Sequence, residues 1–333
     1  MRARIAGVAA YLPEHTLTST EVEARVAAES DGFRPHPTIV ERVTGIRRRH
    51  VMRADQQASD LAAAAARALL AEHGLTADRL DLLIFASASQ DLIEPATAHI
   101  VAAKLGANCP VFDVKNACNS FLNGLQVADA LIRTGQHERV LVCCGESPSR
   151  AVRWRVRDRA QFADAFAGYT LSDAGAAMLV EAAPDGGIFY RDFAARSSAW
   201  HIGTLPGGGS LHPRDPEHTY FSGDGRRLKD AFLAGGPEIF FTALEKTGLT
   251  WDDFAVIAVH QVTVPYLETL RSVLGIPAGR LVVTLPEHGN VASATLPLQL
   301  ATAIGQGRCG PGDRVAFIGL AGGVSLGVLF AAL

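Results

Sequence analysis

The chain repeats itself. Asp81-Leu82-Leu83-Ile84-Phe85-Ala86 has a counterpart in Asp253-Phe254-Ala255-Val256-Ile257-Ala258. In each half a helical pattern then runs 17 residues from a polar residue to a glycine, from Cys118 to Gly135 and from Asn290 to Gly307. An acidic residue, an arginine and a valine open the next strand in both halves, as Glu138-Arg139-Val140 and as Asp313-Arg314-Val315. A duplicated strand–helix grammar predicts an α/β chain of two βαβ-rich halves, 1–184 and 185–333, related by a pseudo-two-fold axis with helices buried between sheets. Equivalent helix N-termini then face one shared centre. Cys118 begins one of those helices and Asn290 the other.

Bulk properties agree with buried sheets. The 333 residues are enough for two lobes. Hydrophobic residues make up 48%, which suits strands covered on both faces. A net charge of −3 gives no electrostatic reason to bind nucleic acid. Arginines do cluster, at Arg47-Arg48-Arg49 and from Arg150 to Arg159. They form either a solvated face or an entrance for an anionic cofactor or an acidic carrier protein. The five cysteines are odd in number and lack a CxxC pair, so neither a disulfide framework nor a zinc site is expected. A reducing cytoplasm fits. The N-terminus has no signal-peptide pattern. The last 19 residues, Val315 to Leu333, are uncharged and long enough to span a bilayer. Gly319, Gly322, Gly323 and Gly327 interrupt them, so two buried strands joined by a glycine turn are expected, and no membrane insertion.

Periodicity places the remaining elements. Strands are expected at 5–12, 81–88, 112–115, 139–144, 174–182, 188–195, 254–261, 280–284, 313–320 and 325–331. Helices are expected at 59–73, 96–105, 229–247, 264–274 and 291–304, with short helical or loop segments at 18–30 and 38–44. An arginine- and aromatic-rich excursion covers 146–170, and a glycine- and proline-rich loop covers 200–224.

Cys118 follows the strand and precedes the long helix of the first half. Free backbone N–H groups and the positive helix end favour a thiolate at such a place, and a thiolate is the nucleophile that a thiol is not. His260 ends the apolar run Val256-Ile257-Ala258-Val259, at the carboxyl end of a strand, where sites form in parallel sheets. Asn290 lies in Glu287-His288-Gly289-Asn290 before a helix, and Gly322-Gly323 form the last turn. Singly, each residue has an ordinary structural use. Jointly they supply what thioester chemistry needs. The cysteine accepts an acyl group, an imidazole and an amide donate to a second carbonyl, and backbone amides hold a tetrahedral oxyanion.

Several stretches carry a family resemblance: Thr44-Gly45-Ile46-Arg47, Ala117-Cys118, Ser172-Asp173-Ala174-Gly175-Ala176-Ala177, Val259-His260-Gln261, His288-Gly289-Asn290 and the terminal glycine-rich turn. Over nearly its whole length the chain resembles the thiolase superfamily, in its β-ketoacyl-ACP synthase III branch. The resemblance implies a five-layered αβαβα thiolase fold and a homodimer. It also implies Cys118 as acyl-accepting nucleophile, His260 and Asn290 as the oxyanion pair for the second thioester, and the N–H groups of Cys118 and Gly322 as the first oxyanion hole. No tightly bound cofactor is implied. The substrates are acyl-CoA thioesters or acyl groups on an acyl carrier protein.

Two features, at three positions, depart from the housekeeping fatty-acid initiator of that branch. The tryptophan and arginine that grip the adenine of CoA there align with Ile39 and Val43 here. The phenylalanine of its dimer-crossing loop aligns with Glu94, in Leu92-Ile93-Glu94-Pro95-Ala96-Thr97. Glu94, Asn116-Ala117-Cys118, His260-Gln261-Val262 and Glu287-His288-Gly289-Asn290 together look like the OleA-type thiolases, which join two acyl-CoAs head to head without decarboxylation. In that branch the equivalent glutamate reaches the partner subunit's site as base. Without a malonyl carboxylate to lose, an α-proton must be taken, and a desolvated carboxylate suits the task. The alternatives are decarboxylative condensation with a malonyl thioester, simple acyl transfer to a hydroxyl or amine, and a non-catalytic partner subunit. Phe121, Phe162, Phe166 and Trp200 are the candidates for the acyl channel, with ordinary core as their other reading.

Overall fold

The computed structural model describes residues 1–333, the surroundings of Gly235 excepted. Nine strands build two sheets. The first contains β1 (Arg2–Tyr11), β2 (Leu82–Ala86), β3 (Val111–Val114), β4 (Arg139–Glu146) and β5 (Ala174–Ala183), in the order β1-β5-β4-β2-β3. β2 runs parallel to both β3 and β4, and β5 is antiparallel to β4 and β1. The second contains β6 (Gly187–Ala195), β7 (Val256–Val259), β8 (Arg314–Ala321) and β9 (Ser325–Ala332), in the order β7-β8-β9-β6, with only β7 and β8 parallel. The uncharged C-terminus is therefore two buried strands and a turn. Among the described residues, no helix is long and apolar enough to cross a membrane.

Helices alternate with the sheets in five layers. α1 (Ala58–Glu72) and α2 (Thr97–Leu105) cover the outer face of the first sheet, where Ala62, Ala66 and Leu69 meet Leu83, Phe85 and Leu141. α3 (Ser120–Arg133) and α6 (Thr295–Gly305) lie between the sheets, and their Leu122, Leu125, Leu296 and Leu300 share one core with Ile84, Val142, Val256 and Phe317. α4 (Glu238–Thr247) and α5 (Val264–Leu274) cover the second sheet from outside. α3 and α6 form the middle layer, packed on two sides, and the buried charged group on α3 is paired there: Asp129 lies between Arg133 and Arg191.

Three expected elements differ. The helix expected over 229–247 is two helices, Gly225–Gly235 and α4, separated at Gly236-Pro237. Proline has no N–H for the helical ladder and its ring clashes with the preceding turn. The strand expected at 280–284 makes one bridge, Ile257 to Leu281. Its backbone bonds to a side chain instead: Gln261 donates to the Val282 carbonyl and accepts from the N–H groups of Thr284 and Leu285. The helix expected over 291–304 begins with a tight 3-10 turn, Ala292–Ala294, where Ala292 has φ +48°, and only then continues as α6. Ala117, one residue before Cys118, has φ +46°. Both inner helices are thus entered through an alanine in the left-handed region, which costs an L-residue with a Cβ free energy.

Candidate active site

Cys118 is partly buried in the turn between β3 and α3. That turn is tied to the other half of the chain. Asn116 and Asn119 both donate to Ser325 at the start of β9. Asn119 is fully buried against Gly319, where an added Cβ would stand 2.0 Å from its Oδ1. Glycine is required there because α3 presses directly onto β8. A side chain added at Gly322 would meet Ala117 Cβ at 3.9 Å, so the last turn of the chain lies beside the residue before Cys118.

His260 follows β7, and its N–H donates to the Ile318 carbonyl of β8, next to Gly319. Its neighbours on both sides hold the segment that bears Asn290. Gln299 of α6 bonds both the N–H and the carbonyl of Val259, and Gln261 holds residues 282–285. Asn290 exchanges backbone bonds with Thr170 and Ser172, its Oδ1 accepts from the Ala292 N–H, and its Nδ2 reaches Thr170 Oγ1 at 3.5 Å. Gly289, before it, has φ +68°, and a Cβ there would come 2.9 Å from Ser172 Cβ. Hydrogen bonds through β8, Gln261 and Gln299 thus connect the surroundings of all three residues, each drawn from a different loop.

The electrostatics depart from the expectation of a resting thiolate. Burial first, then the negative charge of Glu146, pushes the Cys118 thiol up to about 12. α3 starts only at Ser120, so Cys118 lies outside the first turn, and desolvation outweighs the helix dipole. Burial pulls His260 down to about 4, which leaves a neutral imidazole with one N–H to donate. Its Nδ1 is buried with no protein hydrogen-bond partner.

Glu146 was missed by sequence reasoning. It ends β4 and is fully buried. Its carboxylate accepts from Ser87 Oγ, from the N–H groups of Ala88 and Ser89, from Ser89 Oγ and from Ser293 Oγ. Burial raises its pKa while these donors oppose the rise. One carboxylate thereby joins the loop that leads to Glu94, the turn after Asn290 and the field at Cys118. An acidic residue closing the apolar run Val140-Leu141-Val142-Cys143-Cys144 was the available signal.

Glu94 sits at an exposed tip with Leu92 and Ile93, which are 50% and 74% exposed. The tip is anchored at its base. Asp91 accepts from Ser59, and Asp113 accepts from the N–H groups of Thr97 and Ala98. The four channel candidates do not form one lining. Phe162 and Phe166 pack together with Tyr169 and Phe33 in a cluster of their own. Phe121 belongs to the core between the sheets, and Trp200 is 57% exposed. Ile39 joins the Phe162 cluster, while Val43 is exposed.

The arginine clusters are largely spent. Glu287 pairs with Arg47 and Arg48. Arg49 is buried, donates to Leu17 and Ser19, and is lowered to about 10 by that burial. Arg153 and Arg155 pair with Glu217 and Asp31. His50 and His288 share a 3.0 Å hydrogen bond that fastens the short strand Arg48–His50 to the helix before Asn290.

Comparison with known proteins gives one consistent answer. The sequence profile described as 3-oxoacyl-(acyl-carrier-protein (ACP)) synthase III matches residues 112–198, and its C-terminal companion matches residues 244–332. The chain is similar to β-ketoacyl-(acyl-carrier-protein) synthase III of Desulfitobacterium hafniense, 33% identical over 97% of this chain and 95% of that protein. It is 34% identical to the protein of that name from Cereibacter sphaeroides, over 98% of each. Among solved structures, Xanthomonas campestris OleA with bound lauric acid and lauroyl-CoA superposes with a TM-score of 0.90 at 27% identity, over 100% of this chain and 99% of that one. Aquifex aeolicus 3-oxoacyl-(acyl-carrier-protein) synthase III superposes with a TM-score of 0.85, also at 27% identity, over 99% and 100%.

Proposed function

Since the chain belongs to the 3-oxoacyl-(acyl-carrier-protein) synthase III family and is a thiolase-like condensing enzyme, we propose that it joins two acyl thioesters by non-decarboxylative Claisen condensation, through an acyl group on Cys118. The substrates are acyl-CoA thioesters or acyl groups on an acyl carrier protein, with no resident cofactor. The acting unit is a homodimer, in which halves 1–184 and 185–333 of each chain meet at the Cys118 turn.

The observation that carries this reading is that a half-buried cysteine, a buried neutral imidazole and a buried amide stand on loops tied together by hydrogen bonds. In the first step the Cys118 sulfur bonds the acyl carbon and its proton leaves with the departing thiol. The N–H groups of Cys118 and Gly322 hold the oxyanion. In the second step Glu94 of the partner subunit takes an α-proton from the second thioester. His260 and Asn290 donate to the enolate oxygen. The carbanion then attacks the acyl-Cys118 carbonyl, and the Cys118 sulfur leaves and regains a proton as Glu94 gives one up, yielding a β-ketoacyl thioester and the resting thiol.

Glu94 is what separates this from decarboxylative chemistry. OleA has been solved with substitutions at a cysteine, a glutamate and a histidine. That cysteine and histidine have the same sequence separation as Cys118 and His260, and the glutamate precedes the cysteine by two residues more than Glu94 precedes Cys118. The tip Leu92-Ile93-Glu94 is exposed, as action in a partner's site requires. A second reading, condensation with a malonyl thioester, is supported by the names of the curated relatives.

Incubation with one saturated acyl-CoA and no malonyl donor decides between them. A coupled β-keto product, or the ketone it decarboxylates to, is expected; acylated Cys118 with no coupled product rejects the proposal. Glu94→Gln is expected to leave Cys118 acylation by mass spectrometry unchanged and to slow coupling by roughly 10²- to 10⁴-fold. Equal loss of both steps counts against its role as base.

A further inference from the structure

Glu146 takes no part in either step of the condensation as written above, yet it holds the pieces that the second step uses. We propose that Glu146 is a positioning residue for carbon–carbon bond formation, one that sets both the Asn290 amide of its own protomer and the loop that carries Glu94. The inference rests on the condensation reading for the roles of Asn290 and Glu94, and adds to it a group that acts through others.

The hydrogen-bond partners of Glu146 among the described residues are all donors. Oε1 accepts from the Ala88 N–H at 2.8 Å, from Ser87 Oγ at 3.0 Å and from Ser293 Oγ. Oε2 accepts from the Ser89 N–H at 3.2 Å and from Ser89 Oγ at 3.0 Å. A fully buried carboxylate so surrounded is satisfied in its charged form. Ser293 is the arm toward the amide. It is buried, and it follows Ala292, whose φ is +48°. The Ala292 N–H donates to Asn290 Oδ1 at 3.1 Å. That bond settles which way the carboxamide faces and leaves Nδ2 as the donor. A left-handed alanine persists only where its surroundings over-determine it. The Ser293 hydroxyl on Glu146 is one such hold, and the Thr295 hydroxyl on the Ala292 carbonyl is another. Ser89 is the arm toward the loop. Its Oγ donates to Glu146 and accepts from the Ser147 N–H. Residues 87–89 are thus bound to the end of β4, and the chain sets out toward Glu94 from a fixed base.

The charge itself works against the sulfur. Glu146 adds to the burial that pushes the Cys118 thiol up to about 12. It therefore disfavours the thiolate that forms when Cys118 leaves. Acylation uses the N–H groups of Cys118 and Gly322, and neither Asn290 nor Glu94. Removing the charge favours that first step, while losing the geometry hinders the second. A residue of purely structural use would slow both together.

Full-length wild type, Glu146→Gln and Ser293→Ala are each given one saturated acyl-CoA. Mass spectrometry follows acylation of Cys118, and product analysis follows coupling. In both variants the ratio of coupling rate to acylation rate is expected to fall roughly 10- to 100-fold, the effect of a reacting geometry displaced by about 1 Å. Ser293→Ala keeps the charge, so its Cys118 alkylation profile against pH is expected to match wild type. Amide hydrogen exchange is expected to quicken at residues 290–294 in both variants, and at 87–90 in Glu146→Gln. An unchanged ratio, equal loss of both steps, or unchanged exchange at 290–294 overturns the inference. Wild type that acylates but forms no coupled product rejects the condensation reading instead. The ratio is then measured with malonyl-CoA as second thioester, where Ser293→Ala tests the Asn290 arm without Glu94. If neither donor couples, exchange at the two segments decides.

Discussion

At the scale of single residues, the site is governed by desolvation. A thiol pushed up to about 12 is overwhelmingly protonated near neutrality, so attack and proton loss must be coupled on the bound thioester. Iodoacetamide alkylation of Cys118 in the free protein is therefore expected to rise about tenfold per pH unit from pH 7 to 10, in step with the thiolate fraction. A plateau already reached at pH 7 would mean a thiolate at rest. Glu146→Gln removes the nearby negative charge, so the same profile is expected to move toward acid pH. A profile that does not move would show that the field of Glu146 does not reach the sulfur. The Gln amide would also face the Ser89 N–H, two donors against each other, at a cost of about 1–3 kcal/mol. None of this was legible in the chain, because Cys118 next to a helix start reads as activated. Desolvation depends on what packs over the sulfur, and that comes from distant residues.

At the scale of elements, close approach between α3 and β8 sets where the nucleophile stands. Gly319→Ala is expected to destabilise the fold by about 1–3 kcal/mol and to slow acylation of Cys118. Asn119 cannot turn aside from the new methyl without losing its bonds to Ser325. Urea unfolding and acylation rate measure the two effects, and wild-type values for both would show that the contact is slack. Periodicity located the inner helices because apolar residues recur in them at helical spacing, as Leu122, Leu125, Ala128, Leu131 and Ile132 do in α3. It missed the break at Gly236-Pro237 and the single-bridge segment at 281–284. The first is a local backbone rule overridden by an attractive pattern. In the second a buried glutamine side chain replaces a neighbouring strand, which no local pattern reveals.

At the scale of the whole molecule, the exposed Leu92-Ile93 tip is the surface on which the proposed homodimer is tested. Ile93→Asp is expected to shift the protein toward monomer in sedimentation, and to abolish coupling while Cys118 still accepts an acyl group. A wild-type protein that is monomeric at micromolar concentration would remove Glu94 of the partner subunit from the mechanism.

The sequence by itself determined the α/β class and the family, and it offered the order Cys118, His260, Asn290, because alternation, motif and residue type are local properties of a chain. Only the tertiary structure decided that the thiol is neutral, that Arg49 and Glu146 are buried, and that Phe121 and Trp200 lie apart from Phe162. Each of these depends on what distant segments exclude water from a given atom, and burial is settled only when the sheets close on the helices between them.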